Sequence, residues 1–597
     1  MTFTGEVPAA YRGHRIPSGV AKSGVRRRLK VSLLVLVLGL LYAGFHVVRV
    51  QTFARAAYLE ESIDQRTRVN TVRASRGVIF DRRGNELALS VPTTTVFADP
   101  REMTDVAEAA RTLAPVLGLT PEAEAELAAK FSEPGREFVY LARELTKERA
   151  NEILSLGVKG VFSYIEPART VEGGVAGAVI GATDPDGVGT SGLELQFDDV
   201  LTGEDGRVVR EVGNNGRPIA GQERVTSAPV PGDDIVLTID KNIQFHADSA
   251  LLDRVGQLGA KAGTAIVMDS KTGDVYAISN VRRNAEGAAV LATGNFATVE
   301  AHEPGSVSKV FSIAAAIDQG KVTPESVFSV PGAVVIDGFP IRDAWPHPTM
   351  DMSLRYILSE SSNIGTMLAA QTIAPEMLHS YLTGFGFGKK TGLEYPGESR
   401  GILRPSAKWR GTEKSTITYG YGMAATPLQL AAAVNTVANG GVHVSPRLVG
   451  GRIDGGGRRV DAPAAETRRV LQPSTAAVMT DMMREVVCTG TGENAKVKGM
   501  EIAGKTGTGY KVQDNGTYAT DTGGRKYFAS FVGFFPARDP KVTILVSIDE
   551  PNANSRDRFG STAAAPVFAR LVPTVMHELG IEATGTGTGC KKRPATP

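Results

Sequence analysis

An uninterrupted apolar segment near the N-terminus, Val31 to Val48, constrains the fold of this chain more than any other feature. His46 is its only strongly polar residue, and a helix of this length rises about 27 Å, close to the thickness of a bilayer's hydrocarbon core. Residues 1–30 carry seven basic residues and one acidic residue. We therefore expect a transmembrane helix over residues 31–50, with the basic tail in the cytoplasm and the rest of the chain outside it.

A cleaved signal peptide is the alternative interpretation of this segment. Ala54-Arg55-Ala56 has the small-x-small form of a cleavage site. However, the apolar segment is longer than the hydrophobic part of a typical signal peptide, and Arg49 separates it from that site. Both observations favour an anchor that is retained.

Charge and residue composition argue against several classes of function. The formal net charge of the chain is only +2, whereas residues 1–30 carry a net charge of +6, which leaves −4 for the remainder. The positive charge therefore lies in the N-terminal tail rather than on a folded surface, and we expect no nucleic-acid partner. The eight histidines show no metal-ligand spacing, and we expect neither a metal nor another cofactor. Two cysteines do not make a disulfide framework. Cys488 is interpreted as a small buried apolar residue, and the sequence leaves open whether it pairs with Cys590.

Turn-forming residues divide the remainder of the chain. The segment Ser227-Ala-Pro-Val-Pro-Gly232 is typical of a linker, and we place a domain boundary there. This predicts one domain over residues 51–230, rich in strands, and a second over residues 231–581. Residues 582–597 are polar and rich in glycine and threonine, so we expect them to be disordered.

The second domain shows strands near both of its ends and helices between them. Its last two strands are expected at Tyr527–Phe535 and Val542–Ile548, and residues 306–445 are expected to be mostly helical. This order predicts an α+β fold, with an antiparallel sheet assembled from the two ends of the domain.

One candidate nucleophile lies in Ser306-Val-Ser-Lys309, which runs into the apolar segment Val310 to Ile317. Residues three apart share a face of a helix, so Lys309 is expected beside Ser306. A neutral lysine can accept the hydroxyl proton and so activate a serine without histidine. Taken alone, the motif is also compatible with an N-cap serine and a solvated lysine.

Two further motifs give the first one a context. Ser361-Ser362-Asn363 is the only Ser-x-Asn in the chain, whereas Lys-Thr-Gly occurs three times. The copies at 271–273 and 390–392 are interpreted as turns, the first between two strands and the second after a helix. The copy Lys505-Thr506-Gly507-Thr508 continues a strand, where its side chains could hold an anion and its backbone could pair with an extended peptide.

In chain order, these motifs form the active-serine set of penicillin-binding proteins and serine β-lactamases. The chain resembles a class B penicillin-binding protein, a peptidoglycan D,D-transpeptidase of the FtsI-like division type. Further segments that carry this resemblance are Tyr419-Gly-Tyr-Gly422, Thr426-Pro-Leu-Gln-Leu430, Ala529-Ser-Phe-Val-Gly-Phe-Phe-Pro536, Arg76-Gly-Val-Ile-Phe-Asp-Arg-Arg-Gly84, Val96-Phe-Ala-Asp-Pro100 and Gly192-Leu-Glu194. One departure is Gly509-Tyr510, where the family usually has alanine and a polar residue. It bears on the shape of the cleft and on β-lactam sensitivity rather than on the reaction.

The resemblance implies a fold and a set of site residues. The implied fold is membrane-anchored and α+β, with an extended β-rich pedestal of the dimerisation type before a transpeptidase domain similar to serine β-lactamases. Ser306 would be the acylated nucleophile, Lys309 its base, and Ser361 a proton relay to the leaving amine. The implied substrate-binding residues are Asn363, which would hold the peptide amide, and Lys505, Thr506, Gly507 and Thr508, which would bind the carboxylate of a D-Ala-D-Ala stem. The backbone N–H groups of Ser306 and Thr508 would form the oxyanion hole.

The resemblance further implies cross-linking of stem peptides at the division septum, inhibition by β-lactams, and a location on the outer side of a bacterial cytoplasmic membrane. A septal glycosyltransferase of the SEDS type and other division proteins are the implied partners. The alternatives are an elongation or sporulation transpeptidase, and a carboxypeptidase or β-lactamase acting as a hydrolase. Glu398 lies where a class A β-lactamase carries its deacylating glutamate, but it lacks the accompanying asparagine. We interpret it as a loop residue, which favours transfer to an amine over hydrolysis.

Overall fold

The computed structural model describes residues 22–52, 67–212, 218–551, 556–585, 587 and 590. The chain separates into two units, Met1–Val72 with Gly206–Ala228, and Arg73–Asp205 with Pro229–Pro597. Up to residue 231 the helices are α1 (Lys22–Thr52), α2 (Val106–Leu117), α3 (Pro121–Phe131), α4 (Lys147–Ser155), α5 (Gly177–Ile180), α6 (Gly192–Gln196) and α7 (Asp198–Leu201). The strands in this part are β1 (Thr67–Val72), β2 (Ile79–Phe80), β3 (Glu86–Ala98), β4 (Val139–Leu145), β5 (Val161–Val171), β6 (Gly206–Val212) and β7 (Pro218–Ser227).

The first unit contains the apolar helix and a small sheet. Helix α1 includes the expected segment, and residues Gly24–Thr52 are long and apolar enough to cross a membrane. Its central side chains are exposed to the surroundings, as expected for a helix that lies in lipid. Strands β1, β6 and β7 form a three-stranded antiparallel sheet. A single N-terminal membrane anchor fits these features.

From residue 232 the helices are α8 (Lys241–Leu258), α9 (Phe296–Val299), α10 (Ser308–Asp318), α11 (Leu354–Ser359), α12 (Asn363–Ala370), α13 (Pro375–Gly384), α14 (Glu413–Thr416), α15 (Pro427–Ala438), α16 (Pro473–Thr489), α17 (Gly560–Ala563) and α18 (Ala565–Leu579). The strands are β8 (Asp234–Leu237), β9 (Ala262–Asp269), β10 (Val275–Arg283), β11 (Ala289–Leu291), β12 (Val327–Val330), β13 (Ala333–Ile336), β14 (Phe339–Arg342), β15 (Met350–Ser353), β16 (Val442–Val444), β17 (Val449–Ile453), β18 (Arg459–Asp461), β19 (Thr467–Arg469), β20 (Ala503–Tyr510), β21 (Tyr527–Phe535) and β22 (Val542–Asp549).

The pedestal in the second unit is built on an extended sheet. Strands β3, β4 and β5 pair antiparallel, and helices α2, α3 and α4 supply the apolar cluster on this sheet. Arg76 and Glu194, both from motifs of the family resemblance, form a buried ion pair with a distance of 2.6 Å from Nε to Oε2. Arg169 Nε lies 2.7 Å from the other Glu194 oxygen. Buried charges are costly unless they are paired and hydrogen-bonded. Arg76 and Arg169 are therefore stabilised by the Glu194 carboxylate, although the three residues lie far apart in the sequence.

The sheet of the pedestal continues across the predicted domain boundary. Strand β2 pairs in parallel with β8, which lies after residue 231, and β17 pairs with β8 on its other side. The domain boundary at 230/231 therefore stays a prediction, because backbone hydrogen bonds join strands that lie on either side of it in the sequence.

The last domain has the expected α+β architecture. Its six strands lie in the order β11, β10, β9, β22, β21, β20, with antiparallel pairing throughout. The sequence therefore correctly predicted a sheet made from both ends of the domain. Apolar residues of α8 and α18 form one core with the sheet, and those of α10 to α13, α15 and α16 form the other. Strand β20 lies at the edge of the sheet, with one side free of pairing within it.

Two expectations differ from the structure. Residues 306–445 are not mostly helical, because β12 pairs with β15 and β13 with β14 between residues 327 and 353, and loops occupy most of residues 385–412. These short strands lack the length and the regular alternation that mark a strand in sequence. Part of the expected disordered tail is also held in place. Thr584 exchanges hydrogen bonds with Gly499 and Glu501, and Cys590 forms a disulfide with Cys488. Tail positions 586, 588, 589 and 591–597 lie outside the described residues.

Candidate active site

Ser306 lies in a tight 3-10 turn, Gly305–Val307, directly before helix α10. Gly305 has φ +54°, and a Cβ there would lie 3.0 Å from the carbonyl oxygen of Thr508, so the turn packs closely against strand β20. Ser306 is half-buried, while Val307 and Ser308 are buried. The hydroxyl of Ser306 makes no hydrogen bond with any described residue. The turn therefore holds a half-buried serine on a tightly packed support.

Lys309 lies in the first turn of α10 and is fully buried. Its Nζ lies 3.1 Å from Ser361 Oγ and also donates to the backbone carbonyl of Ser361. The first two motifs therefore meet through a side-chain contact, as the sequence predicted. Complete burial disfavours the charged form of a lysine, so Lys309 loses its proton more readily than an exposed lysine does.

Ser361 occupies a strained position between α11 and α12. Its φ is +62°, in the left-handed region that residues with a Cβ rarely adopt. Such a conformation costs about 1–3 kcal/mol and persists only where the surroundings hold it in place. Ser362 provides that support as the N-cap of α12, because its Oγ accepts a 2.9 Å hydrogen bond from the Gly365 N–H. These contacts therefore hold the strained backbone of Ser361, and its hydroxyl lies between the Nζ atoms of Lys309 and Lys505.

Strand β20 carries the selected Lys-Thr-Gly copy. Lys505 is fully buried, and its Nζ lies 2.9 Å from Ser361 Oγ and 3.1 Å from the Thr506 carbonyl oxygen. Thr506 Oγ1 lies 2.8 Å from Thr491 Oγ1. Only glycine fits at position 507, since a Cβ there would lie 2.3 Å from Ser530 Oγ. The third motif thus joins the first two at the hydroxyl of Ser361.

Thr508 and Asn363 each make a hydrogen bond with a neighbouring segment. Thr508 is half-buried, and its Oγ1 accepts a 3.1 Å hydrogen bond from the Gly560 N–H. Asn363 is also half-buried, and its Nδ2 donates to the Arg342 carbonyl oxygen at 2.8 Å. All eight residues predicted from sequence thus lie on three segments, and hydrogen bonds from Lys309 and Lys505 to Ser361 join these segments.

Sequence reasoning missed a buried acid and histidine beside the Ser-x-Asn motif. The Asp343 side chain is completely buried and accepts hydrogen bonds from Ser362 Oγ at 2.6 Å, Asn363 N at 2.5 Å and Ile364 N at 3.0 Å. His347 Nε2 lies 3.0 Å from the same carboxylate. These residues follow the short strand β14 and have no recognisable spacing to the motif they support. Their one sequence signal is an acid and a histidine four positions apart.

The two buried lysines have strongly altered pKa values. Burial lowers the pKa of Lys309 well below its usual value, and the charge of Lys505 lowers it further, whereas Asp343 opposes the shift. Burial also lowers the pKa of Lys505, to about 7, against an opposing effect of Glu360. At neutral pH this arrangement favours a neutral Lys309 next to a Lys505 that can carry a proton. That is the state needed for a base beside an anion-binding group.

The rejected motifs have structural contacts elsewhere. In the 271–273 copy, the N–H groups of Lys271 and Thr272 donate to Asp269 at 2.8 and 2.7 Å, which is a turn stabilised by a side chain. In the 390–392 copy, Thr391 N donates to Glu398 at 2.7 Å. Glu398 is buried in its loop and is held by this contact. Within the described residues, no group of three or more His, Cys, Asp or Glu residues is arranged to hold a metal.

Comparisons with known families match both folded parts of the chain. The family model described as "Penicillin binding protein transpeptidase domain" matches residues 263–572. The model described as "Penicillin-binding Protein dimerisation domain" matches residues 71–237. Together they cover the pedestal and the domain that carries the three motifs.

Individual proteins are similar over nearly the full length. Penicillin-binding protein PbpB of Mycolicibacterium smegmatis is 33% identical over 96% of this chain and 94% of its own length. Peptidoglycan D,D-transpeptidase FtsI of Escherichia coli K12 is 30% identical over 93% of this chain and 92% of its own length. The crystal structure of penicillin-binding protein 3 from Mycobacterium tuberculosis with aztreonam gives a TM-score of 0.66 at 27% identity. It covers 88% of this chain and 100% of that chain. This chain therefore belongs to the class B penicillin-binding proteins and is a peptidoglycan D,D-transpeptidase.

Proposed function

We propose that the enzyme cross-links peptidoglycan stems at the division septum through an acyl-ester on Ser306. The observation that carries the chemistry is the meeting of two buried lysines at one hydroxyl, Ser361 Oγ. One of them, Lys309, lies in the first turn of helix α10, three residues after the half-buried Ser306. The resemblance to FtsI-like division enzymes supports the septal role. An elongation or sporulation role remains the alternative for the pathway.

The first half of the reaction forms the acyl-enzyme. Ser306 Oγ attacks the carbonyl between the last two D-alanines, while neutral Lys309 takes its proton. The backbone N–H groups of Ser306 and Thr508 stabilise the oxyanion, and losing one such donor typically costs about 10²–10³ in rate. The amide bond then breaks, and the departing D-alanine receives a proton through Ser361. Asn363 holds the peptide amide during this step.

The terminal carboxylate of the donor stem lies against strand β20. Protonated Lys505 and the hydroxyls of Thr506 and Thr508 bind it, and Gly507 allows the strand to lie close to the nucleophile turn. Strand β20 is the edge of its sheet, so an extended stem can add as a further strand. This places the scissile carbonyl beside Ser306.

In the second half, an amine of a neighbouring stem attacks the ester. The amine loses a proton, Ser306 regains one, and a new amide joins the two stems. Glu398, which lies where a class A β-lactamase carries its deacylating glutamate, is engaged with Thr391 in its own loop. The acyl-ester therefore waits for an amine, which favours cross-linking over the carboxypeptidase or β-lactamase alternative.

The anchor supports a location on the outer side of the cytoplasmic membrane, with the N-terminus inside, because basic residues flank the apolar helix on its N-terminal side. A SEDS-type glycosyltransferase and other division proteins are the proposed partners. β-Lactams are expected to acylate Ser306 as stem analogues. The relative solved with aztreonam supports that expectation.

Labelling with a fluorescent penicillin tests the nucleophile. The full-length protein should be labelled covalently, and Ser306→Ala should lose the label while keeping its melting temperature. Labelling of Ser306→Ala at the wild-type rate would exclude Ser306. Supplying a pentapeptide donor with and without a D-amino acid then separates the reactions, since release of D-alanine without amine incorporation would support hydrolysis. Labelled protein at midcell rather than along the side wall would support division.

A further inference from the structure

Four tyrosines cluster around the end of strand β20 and the loop that follows it. Ring centroids lie 6.2 Å apart for Tyr421 and Tyr510, 5.7 Å for Tyr421 and Tyr518, and 6.1 Å for Tyr510 and Tyr518. Tyr527 packs 5.5 Å from Tyr510. We call these four residues the tyrosine cluster. It includes Tyr510, the position at which the sequence departs from the family pattern.

A half-buried carboxylate connects the tyrosine cluster to the nucleophile turn. Tyr518 Oη donates to Glu303, with distances of 2.9 and 3.0 Å to the two carboxylate oxygens. The Gly422 N–H donates to the same carboxylate at 2.8 Å. Glu303 lies three residues before Ser306, so these bonds hold the loop of residues 511–526 beside the cleft.

The loop positions one exposed cation above the tyrosine cluster. The guanidinium carbon of Arg525 lies 4.4 Å from the ring centroid of Tyr510, and the backbone of Arg525 pairs with that of Ala519. The neighbouring cations are neutralised, since Lys511 and Lys526 lie 2.8 and 2.9 Å from the Glu550 carboxylate. Arg525 has no carboxylate partner among the residues that the structure describes. Arg525 is therefore a positioned cation whose guanidinium N–H groups are not used by a carboxylate of the described residues.

The path of a bound stem brings it to this cation. In the proposed function the terminal carboxylate lies at Lys505 to Thr508, and the stem leaves the scissile carbonyl along β20 towards Tyr510. Side chains alternate along a strand, so Thr508 and Tyr510 lie on the same face. An extended peptide rises about 3.3 Å per residue. The residue before the two D-alanines, the third of the stem, therefore lies beside Tyr510 and Arg525.

We infer, resting on the proposed function, that Arg525 seated on Tyr510 binds a carboxylate on the side chain of the third residue of the donor stem. The enzyme would accordingly prefer a donor with diaminopimelate at this position to one with lysine. An arginine fork matches a carboxylate with two parallel hydrogen bonds, whereas a lysine ammonium without a carboxylate beside it is repelled. The ring of Tyr510 fixes the guanidinium before the stem arrives, which reduces the entropy lost on binding.

Three matched donors test this preference in the full-length protein. They are pentapeptides with meso-diaminopimelate, with its side-chain amide, or with L-lysine as the third residue. The rate of acyl-enzyme formation, followed by intact mass spectrometry, gives kcat/KM for each donor. Loss of a charge-assisted hydrogen bond to a substrate typically costs about tenfold or more, so we expect the carboxylate donor to react at least about tenfold faster than the other two.

Substitutions assign the preference to its residues. Arg525→Gln should equalise the three donors, Arg525→Lys should keep part of the preference, and Tyr510→Phe should keep it because the ring remains. Arg111→Gln, which removes an exposed arginine from the pedestal helix α2, serves as the matched control and should change nothing. Each variant should still react with a penicillin whose side chain carries no carboxylate.

The outcomes separate the two levels of proposal. Equal rates for the three donors in the wild type, or an unchanged preference in Arg525→Gln, would overturn the role of Arg525 while leaving the transpeptidase mechanism intact. A wild-type protein that forms no acyl-ester with any donor or with penicillin would instead contradict the proposed function. A preference for lysine would show that the Arg525 cation does not select the third residue by its charge, and it would also reject the inference.

Discussion

Lys309 and Lys505, two fully buried lysines, place their Nζ atoms 3.1 and 2.9 Å from the same oxygen, Ser361 Oγ. Two ammonium groups this close repel each other strongly at low dielectric. The pair is therefore most stable when it shares one positive charge. The charge of Lys505 is one cause of the lowered pKa of Lys309, which favours that charge on Lys505. The hydroxyl between them gives a short route for a proton.

The first prediction concerns the pH dependence of acylation. Lys309 must be neutral and Lys505 charged, and burial lowers the pKa of Lys505 to about 7. We expect kcat/KM to fall as pH rises through about 7 in the free enzyme. In kcat the fall should move to higher pH, because a bound carboxylate favours the charged lysine. Lys505→Arg stays charged at all these pH values, so the alkaline fall should vanish in any activity it retains. A flat wild-type profile from pH 6 to 9 would contradict this assignment.

The second prediction concerns Asp343, the carboxylate that holds the turn around Ser362. Asp343→Ala leaves three buried donors without their acceptor, at a cost of about 2–4 kcal/mol in the free energy of unfolding. Acylation by penicillin should slow by about tenfold or more, since the strained turn that positions Ser361 is released. Denaturant unfolding and stopped-flow labelling measure the two effects.

Asp343→Asn serves as the matched control for that prediction. The amide keeps the size and one acceptor oxygen but removes the charge that raises the pKa of Lys309. The acidic fall of acylation should therefore move to lower pH, while stability suffers less than in Asp343→Ala. If both variants react at the wild-type rate, the carboxylate has no part in placing Ser361.

Local patterns account for the parts of the site that the sequence predicted. Each of the three motifs lies on one turn or strand, and family resemblance orders them, although 52 residues separate Lys309 from Ser361 and 144 separate Ser361 from Lys505. The sequence also predicted the two closing strands of the sheet, because Tyr527–Phe535 and Val542–Asp549 are long and apolar. The length and apolar composition of such strands make them recognisable in a sequence.

Tertiary contacts account for the parts that the sequence did not predict. Asp343 follows a four-residue strand, and its carboxylate meets Ser362 and His347 only through the fold. The φ of Ser361 is imposed by its neighbours rather than by its residue type. The pairing of Cys488 and Cys590 spans 102 residues and leaves no local pattern. A glycine- and threonine-rich composition suggested disorder, but covalent and backbone bonds to the domain offset that tendency.

The third prediction concerns the disulfide between Cys488 and Cys590. Closing a loop of this length restricts the unfolded chain and should contribute about 2–5 kcal/mol. The tail also bonds to Gly499 and Glu501, just before strand β20. Reduction should therefore increase hydrogen exchange at residues 499–502 and lower the melting temperature. The variant in which both cysteines are serine should show the same exchange with and without reductant. Unchanged exchange in the reduced wild type would contradict the clamp.

The fourth prediction sets stability against activity at Lys309. Lys309→Met should lower acylation by about 10²–10⁴, because the base is lost, while raising the free energy of unfolding by about 1–2 kcal/mol at neutral pH. The unfolded lysine, with a pKa near 10.5, binds a proton that the folded one has lost, so wild-type stability rises as pH approaches 10.5. The advantage of methionine should shrink over that range. Lys309→Ala, which leaves a cavity, should be less stable than Lys309→Met, and a methionine variant less stable than wild type at pH 7 would refute the buried-amine penalty.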